Sequence, residues 1–140
     1  MTTSDPNSEL LTVQAGPIKV ASADVFHEPG QASIIITFFD NTVLHASFWR
    51  LIANGKATLS SFDHKQQYGL PAPIDAIANL QKDLDGRLLT ALSLNKVTGD
   101  LLLCIEGEGE KLQVFNFSGY EIWTIRYPDG TRDFSNYVLE

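Results

Sequence analysis

Short apolar segments separated by tight turns recur along most of the chain, and this pattern most constrains its fold. In the first half, the pattern predicts strands at 19–27, 33–39, 42–52 and 56–62. In the second half, it predicts strands at 87–95, 101–105, 111–117 and 120–126. Positions 40–41 and 54–55 read Asp-Asn and Asn-Gly, which suit tight turns. Short strands joined by such turns at regular spacing are typical of antiparallel meanders.

The two halves place similar segments in the same order. K-V-A-S-A-D-V-F-H (19–27) aligns with R-L-L-T-A-L-S-L-N (87–95), and I-I-I-T-F-F (34–39) aligns with L-L-L-C-I-E (101–106). T-V-L-H-A-S-F (42–48) aligns with K-L-Q-V-F-N-F (111–117), and W-R-L-I-A-N-G (49–55) aligns with W-T-I-R-Y-P-D-G (123–130) after an insertion at 118–122. Trp49 and Trp123 fall at equivalent positions, where we expect them to fill the core. The repeated order indicates an internal duplication.

One segment between the halves has helical periodicity. From Pro73 to Leu84, apolar residues recur every three or four positions, as on one face of an amphipathic helix. We therefore predict a single α+β domain, mostly antiparallel β, in which two pseudo-repeated β-meander units are joined by one amphipathic helix. Its predicted parts are a loose tail at 1–9, a first β-unit at 10–63, a connector at 64–86 with the helix at 73–84, a second β-unit at 87–127 and a C-terminal segment at 128–140.

The two central strands lack polar alternation. Residues 34–36 are all Ile, and residues 101–103 are all Leu. A sheet that exposes one face to water would alternate apolar with polar residues. We therefore expect both faces of these strands to be covered, one by the other half of the chain and the other by the helix or a second subunit. This expectation favours a homodimer.

Composition argues against several classes of partner. The net charge is −7 with a pI near 4.8, and no segment gathers the Lys and Arg residues that nucleic-acid phosphates require. An acidic surface suits a basic protein partner, and it also keeps a cytosolic protein soluble. The single cysteine, Cys104, excludes an internal disulfide. No apolar run approaches the length of a membrane span, so we expect a cytoplasmic protein that binds neither nucleic acid nor membrane.

The sequence contains no motif for a metal or a cofactor. His27, His45 and His64 are the only histidines, and their spacing is not that of metal ligands. The G-E-G-E stretch at 107–110 lacks the Lys and Ser/Thr of a phosphate-binding loop, and its glycines suit a hairpin turn. We therefore predict no cofactor, no metal and no catalytic residue.

The polar stretch in the connector is the best candidate for a binding site. It comprises Asp63, His64, Gln66, Gln67 and Tyr68, which a plain joint between two units does not require. An imidazole oriented by a carboxylate can exchange protons near neutral pH, which would suit a small hydrolase or ligand-binding enzyme. Adjacent residues on an extended chain point to opposite sides, however, and no G-x-S-x-G elbow is present. We therefore favour loop hydrogen bonding over catalysis.

The segment S-G-Y-E-I-W-T-I-R-Y-P-D-G at 118–130 resembles the Tyr-Glu-x-Trp signature of small bacterial proteins of unknown function. Tyr120, Glu121 and Trp123 match that signature. Such proteins are built as two tandem β-units that end in the motif, and some immunity proteins of polymorphic toxin systems are similar in this region. The long connector departs from the pattern. The resemblance implies a fold and a genomic setting rather than an activity, and it adds Tyr120 and Glu121 to the candidate binding residues.

Three functions are compatible with the sequence. The leading hypothesis is a non-catalytic protein-binding module of the immunity type, which would neutralise a basic protein partner. The second is a small hydrolase or ligand-binding enzyme that uses Asp63, His64 and Tyr68. The third is a structural protein whose homodimer interface is its function.

Overall fold

The computed structural model describes residues 8–23, 29–107, 109–116 and 122–134. These residues form twelve strands and one α-helix. The strands are β1 (Ser8–Leu10), β2 (Gly16–Pro17), β3 (Lys19–Ser22), β4 (Ile34–Thr37), β5 (Val43–Ala46), β6 (Trp49–Ala53), β7 (Lys56–Ser60), β8 (Leu88–Asn95), β9 (Leu101–Ile105), β10 (Lys111–Val114), β11 (Trp123–Arg126) and β12 (Arg132–Phe134), and the helix is α1 (Ala76–Leu84). Every strand pair among them is antiparallel, which confirms the predicted α+β class with mostly antiparallel β structure.

The strands form two sheets that share one apolar core. In the first, which we name sheet A, the order is β1-β8-β9-β10-β6-β7, and β2 also pairs with β8. In the second, sheet B, the order is β12-β11-β5-β4-β3. Sequential strands are neighbours in most of this arrangement, as the meander pattern predicted. Four pairs, β1–β8, β2–β8, β10–β6 and β11–β5, instead join strands that are far apart in the sequence.

Each half of the chain contributes strands to both sheets, and the halves meet at β10–β6 in sheet A and at β11–β5 in sheet B. The first half places the meander β3–β4–β5 in sheet B and the hairpin β6–β7 in sheet A. The second half places the meander β8–β9–β10 in sheet A and the hairpin β11–β12 in sheet B. The hairpin of one half therefore extends the meander of the other. The two units are interlocked rather than placed side by side.

The crossing between sheets divides the segment predicted as one strand at 42–52. Its first part is β5 in sheet B, and its second part is β6 in sheet A. At the crossing, the Ser47 N–H donates to the Ile122 carbonyl beside β11 (3.1 Å), whereas the Phe48 carbonyl accepts from the Phe115 N–H beside β10 (3.0 Å). Successive residues thus bond to different sheets, so the prediction of a single strand was wrong.

Trp49 and Trp123 connect the two sheets through their side chains. Trp49 lies in sheet A, and its indole N–H donates to the carbonyl of Ala32, two residues before β4 of sheet B (2.7 Å). Trp123 lies in sheet B, and its indole N–H donates to the carbonyl of Gly99, two residues before β9 of sheet A (2.7 Å). Both side chains are buried, which confirms that they fill the core. The two hydrogen bonds also occupy equivalent places in the two halves.

Burial alternates along the central strands even though their sequences do not. In β4, Ile34 and Ile36 are buried and Ile35 is half-buried. In β9, the same alternation leaves Leu102 half-buried. The described part of the chain thus covers mainly the inner face of each sheet, and α1 contacts sheet margins at β3 and β7. One chain does not supply the expected cover for both faces, and the homodimer stays a prediction.

The helix α1 begins at Ala76, three residues later than predicted, because Asp75 caps it. The Asp75 carboxylate accepts from the Ala78 N–H (3.0 Å), which satisfies one of the free donors of the first turn. The predicted apolar face is the buried one and includes Ile77, Leu80 and Leu84. No helix among the residues described is long and apolar enough to cross a membrane.

The C-terminal end of α1 covers the edge of sheet B. At this edge, the Val20 N–H of β3 donates to the Asp85 carboxylate (2.6 Å), and the Val20 carbonyl accepts from the side-chain amide of Gln81 (3.0 Å). Unpaired backbone groups on an edge strand are a template for pairing with another chain. The helix therefore takes the place of a neighbouring strand at Val20.

Two strands lie where the sequence predicted irregular segments. β1 includes residues 8 and 9 of the predicted loose tail, and it pairs with β8. β12 lies inside the predicted C-terminal segment and pairs with β11. Each has three residues, which is too short to produce a recognisable period in the sequence. Their structure is therefore set by the strands they pair with.

Replacing Trp49 by Phe removes the indole N–H while keeping an aromatic ring in the core. The Ala32 carbonyl would lose its donor, and part of the indole volume would become a cavity. We expect the free energy of unfolding, measured by urea denaturation, to fall by about 2–4 kcal/mol. Trp123→Phe should cost a similar amount, because its bond to Gly99 is equivalent.

The control is Val97→Ala, at a side chain that is 71% exposed. This change should alter the free energy of unfolding by less than about 0.5 kcal/mol. Losses as small as this in both Trp variants would contradict the role assigned to the indole hydrogen bonds.

Candidate functional site

The candidate polar residues lie between β7 and α1, on a segment that we name the connector loop (61–75). The loop begins with a 3-10 turn at Ser61–Asp63. Ser61 is buried, and its hydroxyl accepts from the Trp49 N–H (3.1 Å) and donates to the Trp49 carbonyl (3.4 Å). The loop is thereby attached to β6 at the tryptophan whose side chain joins the two sheets.

Asp63 holds the polar stretch together. Its carboxylate accepts from the Ser60 N–H (2.9 Å) and from the Tyr68 hydroxyl (3.1 Å). The pKa of Tyr68 is raised, first because this hydrogen bond stabilises the protonated phenol, and further because of slight desolvation and the nearby negative charge. Tyr68 therefore remains a neutral phenol near physiological pH, which suits a hydrogen-bonding role rather than a basic one.

His64 is buried and joins the loop to the helix. Its Nδ1 accepts a hydrogen bond from the N–H of Ala76, the first residue of α1 (3.1 Å). A nitrogen that accepts carries no proton, so the imidazole is neutral with its proton on Nε2. The His64 carbonyl accepts from the Gly30 N–H (2.8 Å). Asp75 Oδ1 lies 3.9 Å from the same Nδ1, and it cannot receive a proton from an atom that is itself an acceptor.

The backbone of the connector loop is bonded to itself. The Lys65 N–H donates to the Ile74 carbonyl (2.7 Å), and the Ile74 N–H donates to the Gln66 carbonyl (2.8 Å). The Gln67 side-chain amide donates to the Leu70 carbonyl (2.8 Å). Gln66 therefore acts through its backbone and Gln67 through its side chain. Both glutamines stabilise the loop, which supplies a structural role for residues that the sequence left unexplained.

Two residues of the loop have a left-handed backbone conformation. Amino acids other than glycine rarely adopt it. The φ angles are 64° for Lys65 and 48° for Tyr68. Such a conformation persists only where the surrounding structure fixes it, and it is common at functional sites. Here the hydrogen bonds around Asp63 and Ile74 provide that constraint. The Tyr68 ring is thus held in one direction.

Three large side chains are exposed on this fixed backbone. Phe62 is 48% exposed, Tyr68 is 66% exposed and Leu70 is 47% exposed, and we name these three residues the apolar patch. The Phe62 ring stacks on Phe48, with 5.5 Å between the ring centroids and 21° between the ring planes. Sequence reasoning missed Phe62 and Leu70 as site residues. Phe62 continues the apolar pattern of the preceding strand, so the sequence does not indicate that its side chain is exposed.

The geometry does not assemble an acid–base pair from Asp63 and His64. The Asp63 carboxylate is bonded at the surface to Ser60 and Tyr68, whereas the His64 imidazole lies inside against α1. Three cavities bounded by described residues lie on other parts of the surface. Among the described residues, no group of three His, Cys, Asp or Glu side chains is arranged to hold a metal ion.

The largest of these cavities, about 540 Å³, is acidic, but its carboxylates serve the local fold. The Asp40 carboxylate accepts from the N–H groups of Gln14 and Thr42 (both 3.0 Å). The Asp129 carboxylate accepts from the hydroxyl (2.6 Å) and the N–H (2.9 Å) of Thr131, and these bonds lower the pKa of Asp129. The bonds from Thr42 and Thr131 are those of ordinary turns, and the bond from Gln14 connects Asp40 to a residue 26 positions earlier. Both carboxylates thus serve the fold, so this cavity is not assigned as a site.

The residues that carry the Tyr-Glu-x-Trp resemblance are only partly placed. Tyr120 and Glu121 lie outside the described residues. Trp123 lies in the core, where its indole bonds to Gly99 (2.7 Å). The chain matches no protein-family model, and comparisons with curated proteins and with solved structures found no match. The resemblance therefore remains an expectation based on the motif.

Replacing His64 tests its role as a joint between the loop and the helix. His64→Leu leaves the Ala76 N–H without its acceptor, and we expect the free energy of unfolding to fall by about 1–3 kcal/mol. His64→Asn places an amide oxygen close to the position of Nδ1, so it should recover part of that loss. Urea denaturation of the three proteins measures the difference. Equal stability of the Leu and Asn variants would contradict this role.

Proposed function

We propose that the chain is a cytoplasmic, non-catalytic protein-binding module and that the apolar patch is its contact surface. The exposure of Phe62, Tyr68 and Leu70 on one hydrogen-bonded loop is the observation that carries this proposal. Large apolar side chains that remain exposed together are typical of protein interaction sites. Tyrosine in particular is enriched among the residues that dominate binding energy.

The rigidity of the connector loop supports the same proposal. Binding costs conformational entropy whenever a flexible loop must be ordered, and a preformed loop avoids much of that cost. The Tyr68 hydroxyl donates a hydrogen bond to the Asp63 carboxylate, and the Phe62 ring stacks on the Phe48 ring. Two of the three patch residues are therefore held in position before any partner arrives. The polar residues of the connector therefore hold the exposed side chains of the site in position.

A basic protein is the partner that the charge of the chain favours. The net charge is −7. Attraction between opposite charges accelerates the association of two proteins and favours the correct partner. Asp75, whose side chain is 66% exposed, lies at the end of the same loop. The resemblance of 118–130 to immunity proteins of toxin systems agrees with a basic toxin as the partner. Neutralisation of such a partner is the activity that we propose.

We also propose an internal duplication and a homodimer, and a specific observation supports each. An internal duplication is supported by the matching strand order and by the matching hydrogen bonds of Trp49 and Trp123. A homodimer is supported by the outer face of sheet A, where Leu102, Cys104 and Ile52 are half-buried. In the register of the strands these apolar side chains alternate with Lys111 and Gln113, and they would lose their remaining exposure if a second copy packed on this face.

Substitution of the apolar patch tests the proposed contact surface. The double variant Phe62→Ser/Tyr68→Ser removes the exposed rings, so its affinity for the product of a neighbouring toxin-like gene should fall about thirtyfold or more. Isothermal titration calorimetry with the purified partner measures that change. The control Leu10→Ser/Val97→Ser removes side chains that are 72% and 71% exposed elsewhere, and it should bind normally. Unchanged affinity of the patch variant would contradict the proposal.

Light scattering tests the proposed homodimer. The unmodified chain should have the mass of a dimer at high concentration, and Leu102→Glu should convert it to a monomer by placing a charge on the outer face of sheet A. Ile35→Glu is the matched control, because Ile35 occupies the corresponding position on sheet B. A monomeric mass for the unmodified chain would overturn the homodimer.

A further inference from the structure

The outer face of sheet B is basic, although the chain as a whole is acidic. Strand registers align its outward side chains in two rows. One row contains Lys19, Thr37, Val43, Arg126 and Arg132, and the other contains Ala21, Ile35, His45 and Thr124. Asp133 is the one acidic residue in these strands, and it lies on the other face opposite buried Ile125, where it accepts from the Tyr127 hydroxyl (2.6 Å). The charged side chains in these two rows, Lys19, Arg126 and Arg132, are therefore all cationic.

Arg126 and Arg132 lie directly opposite each other on β11 and β12. Like charges at directly opposed positions destabilise an antiparallel pair. Among the described residues, neither guanidinium has an ion-pair or hydrogen-bond partner. Asp129, in the turn that joins these two strands, is bonded to Thr131 within that turn. Within the described ranges, the two arginines thus present a pair of positive charges without an ion-pair partner.

A cavity of about 240 Å³ lies beside this pair. Its lining includes both arginines, the apolar side chains of Ile35 and Val43, and the polar side chains of His45 and Thr124. Ile35, Val43, His45 and Thr124 are half-buried and line the cavity from the outer face of sheet B. A cavity of this size suits a small molecule rather than a folded partner.

We propose that this cavity binds a small organic anion, with an oxyanion head group and a compact apolar body. The head group would lie between Arg126 and Arg132, because the planar donors of guanidinium match the oxygen geometry of a carboxylate or a phosphate. Its negative charge would offset the repulsion between the two arginines, which neither a cation nor a neutral molecule can do. The apolar body would contact Ile35 and Val43.

The corresponding place in sheet A lacks the arginine pair. β6 and β7 occupy the positions there that β11 and β12 occupy in sheet B. Ile52 pairs with Ala57 where Arg126 pairs with Arg132. The two interlocked halves share their framework, so the arginine pair is a specific feature of sheet B and is not required by the fold. The cavity also shares no residue with the apolar patch.

The test is a titration of the full chain with benzoate and with phenyl phosphate, followed by backbone amide chemical shifts. We expect saturable shifts confined to the strands around Ile35, His45 and Arg126, with a dissociation constant of about 1 mM, as ligands of this size reach. The tighter of the two probes identifies the head group as a carboxylate or a phosphate. Benzyl alcohol has a similar apolar body without the charge, and it should give no saturable shift.

Charge-matched variants decide whether the arginines hold the anion. Arg126→Gln/Arg132→Gln should weaken binding of the better probe about tenfold or more. Lys56→Gln/Lys111→Gln removes the same charge from sheet A and should bind as the unmodified chain does. Arg126→Lys/Arg132→Lys keeps the charge without the planar donors, so an intermediate affinity is expected.

Several results would overturn the site. These are the absence of saturable shifts with both anions, equal binding of benzyl alcohol, or undiminished binding by the glutamine variant. Urea denaturation of each variant verifies that a loss of binding is not a loss of folding. Phe62→Ser/Tyr68→Ser should retain anion binding, which separates failure of this site from failure of the protein-binding surface.

Discussion

The hydrogen bonds of two buried indoles determine how the sheets are held against each other. Each tryptophan has its backbone in one sheet and its indole N–H on a carbonyl next to the other sheet. A buried carbonyl without a donor is costly, so each bond favours one relative placement of hairpin and meander. The exchange of hairpins between halves adds backbone pairing to the same junctions. The core therefore depends on both halves at once.

The connector loop is built on that junction. Ser61 bonds to both backbone groups of Trp49, and Phe62 stacks on Phe48 at the crossing between the sheets. At its other end, His64 accepts from the first N–H of α1. The loop is thus fixed at both ends by buried contacts, and its exposed side chains are presented on a rigid base.

The two halves have a similar arrangement of strands, but their surface side chains differ. Carboxylates such as Asp40, Asp75 and Asp129 lie in turns and caps, where they bond to backbone N–H groups. Arg50, Arg126 and Arg132 lie on strands of the two sheets. In sheet A, Arg50 bonds to Gln113 and lies over the Phe115 ring, whereas the arginine pair of sheet B has no such neighbours among the described residues.

Local patterns in the sequence predicted much of the framework. The strand at 101–105 was predicted with its observed bounds, and Asn54 adopts the left-handed φ (54°) that the Asn-Gly turn requires. The apolar face of α1 was also predicted, because short-range spacing determines it. The sequence did not predict the division of 42–52, the exposure of Phe62 or the pairing of Arg126 with Arg132. Alternation along a strand shows which residues share a face, but not which distant strand will pair with it. The tertiary structure alone decided those features, because they depend on contacts between residues far apart in the chain.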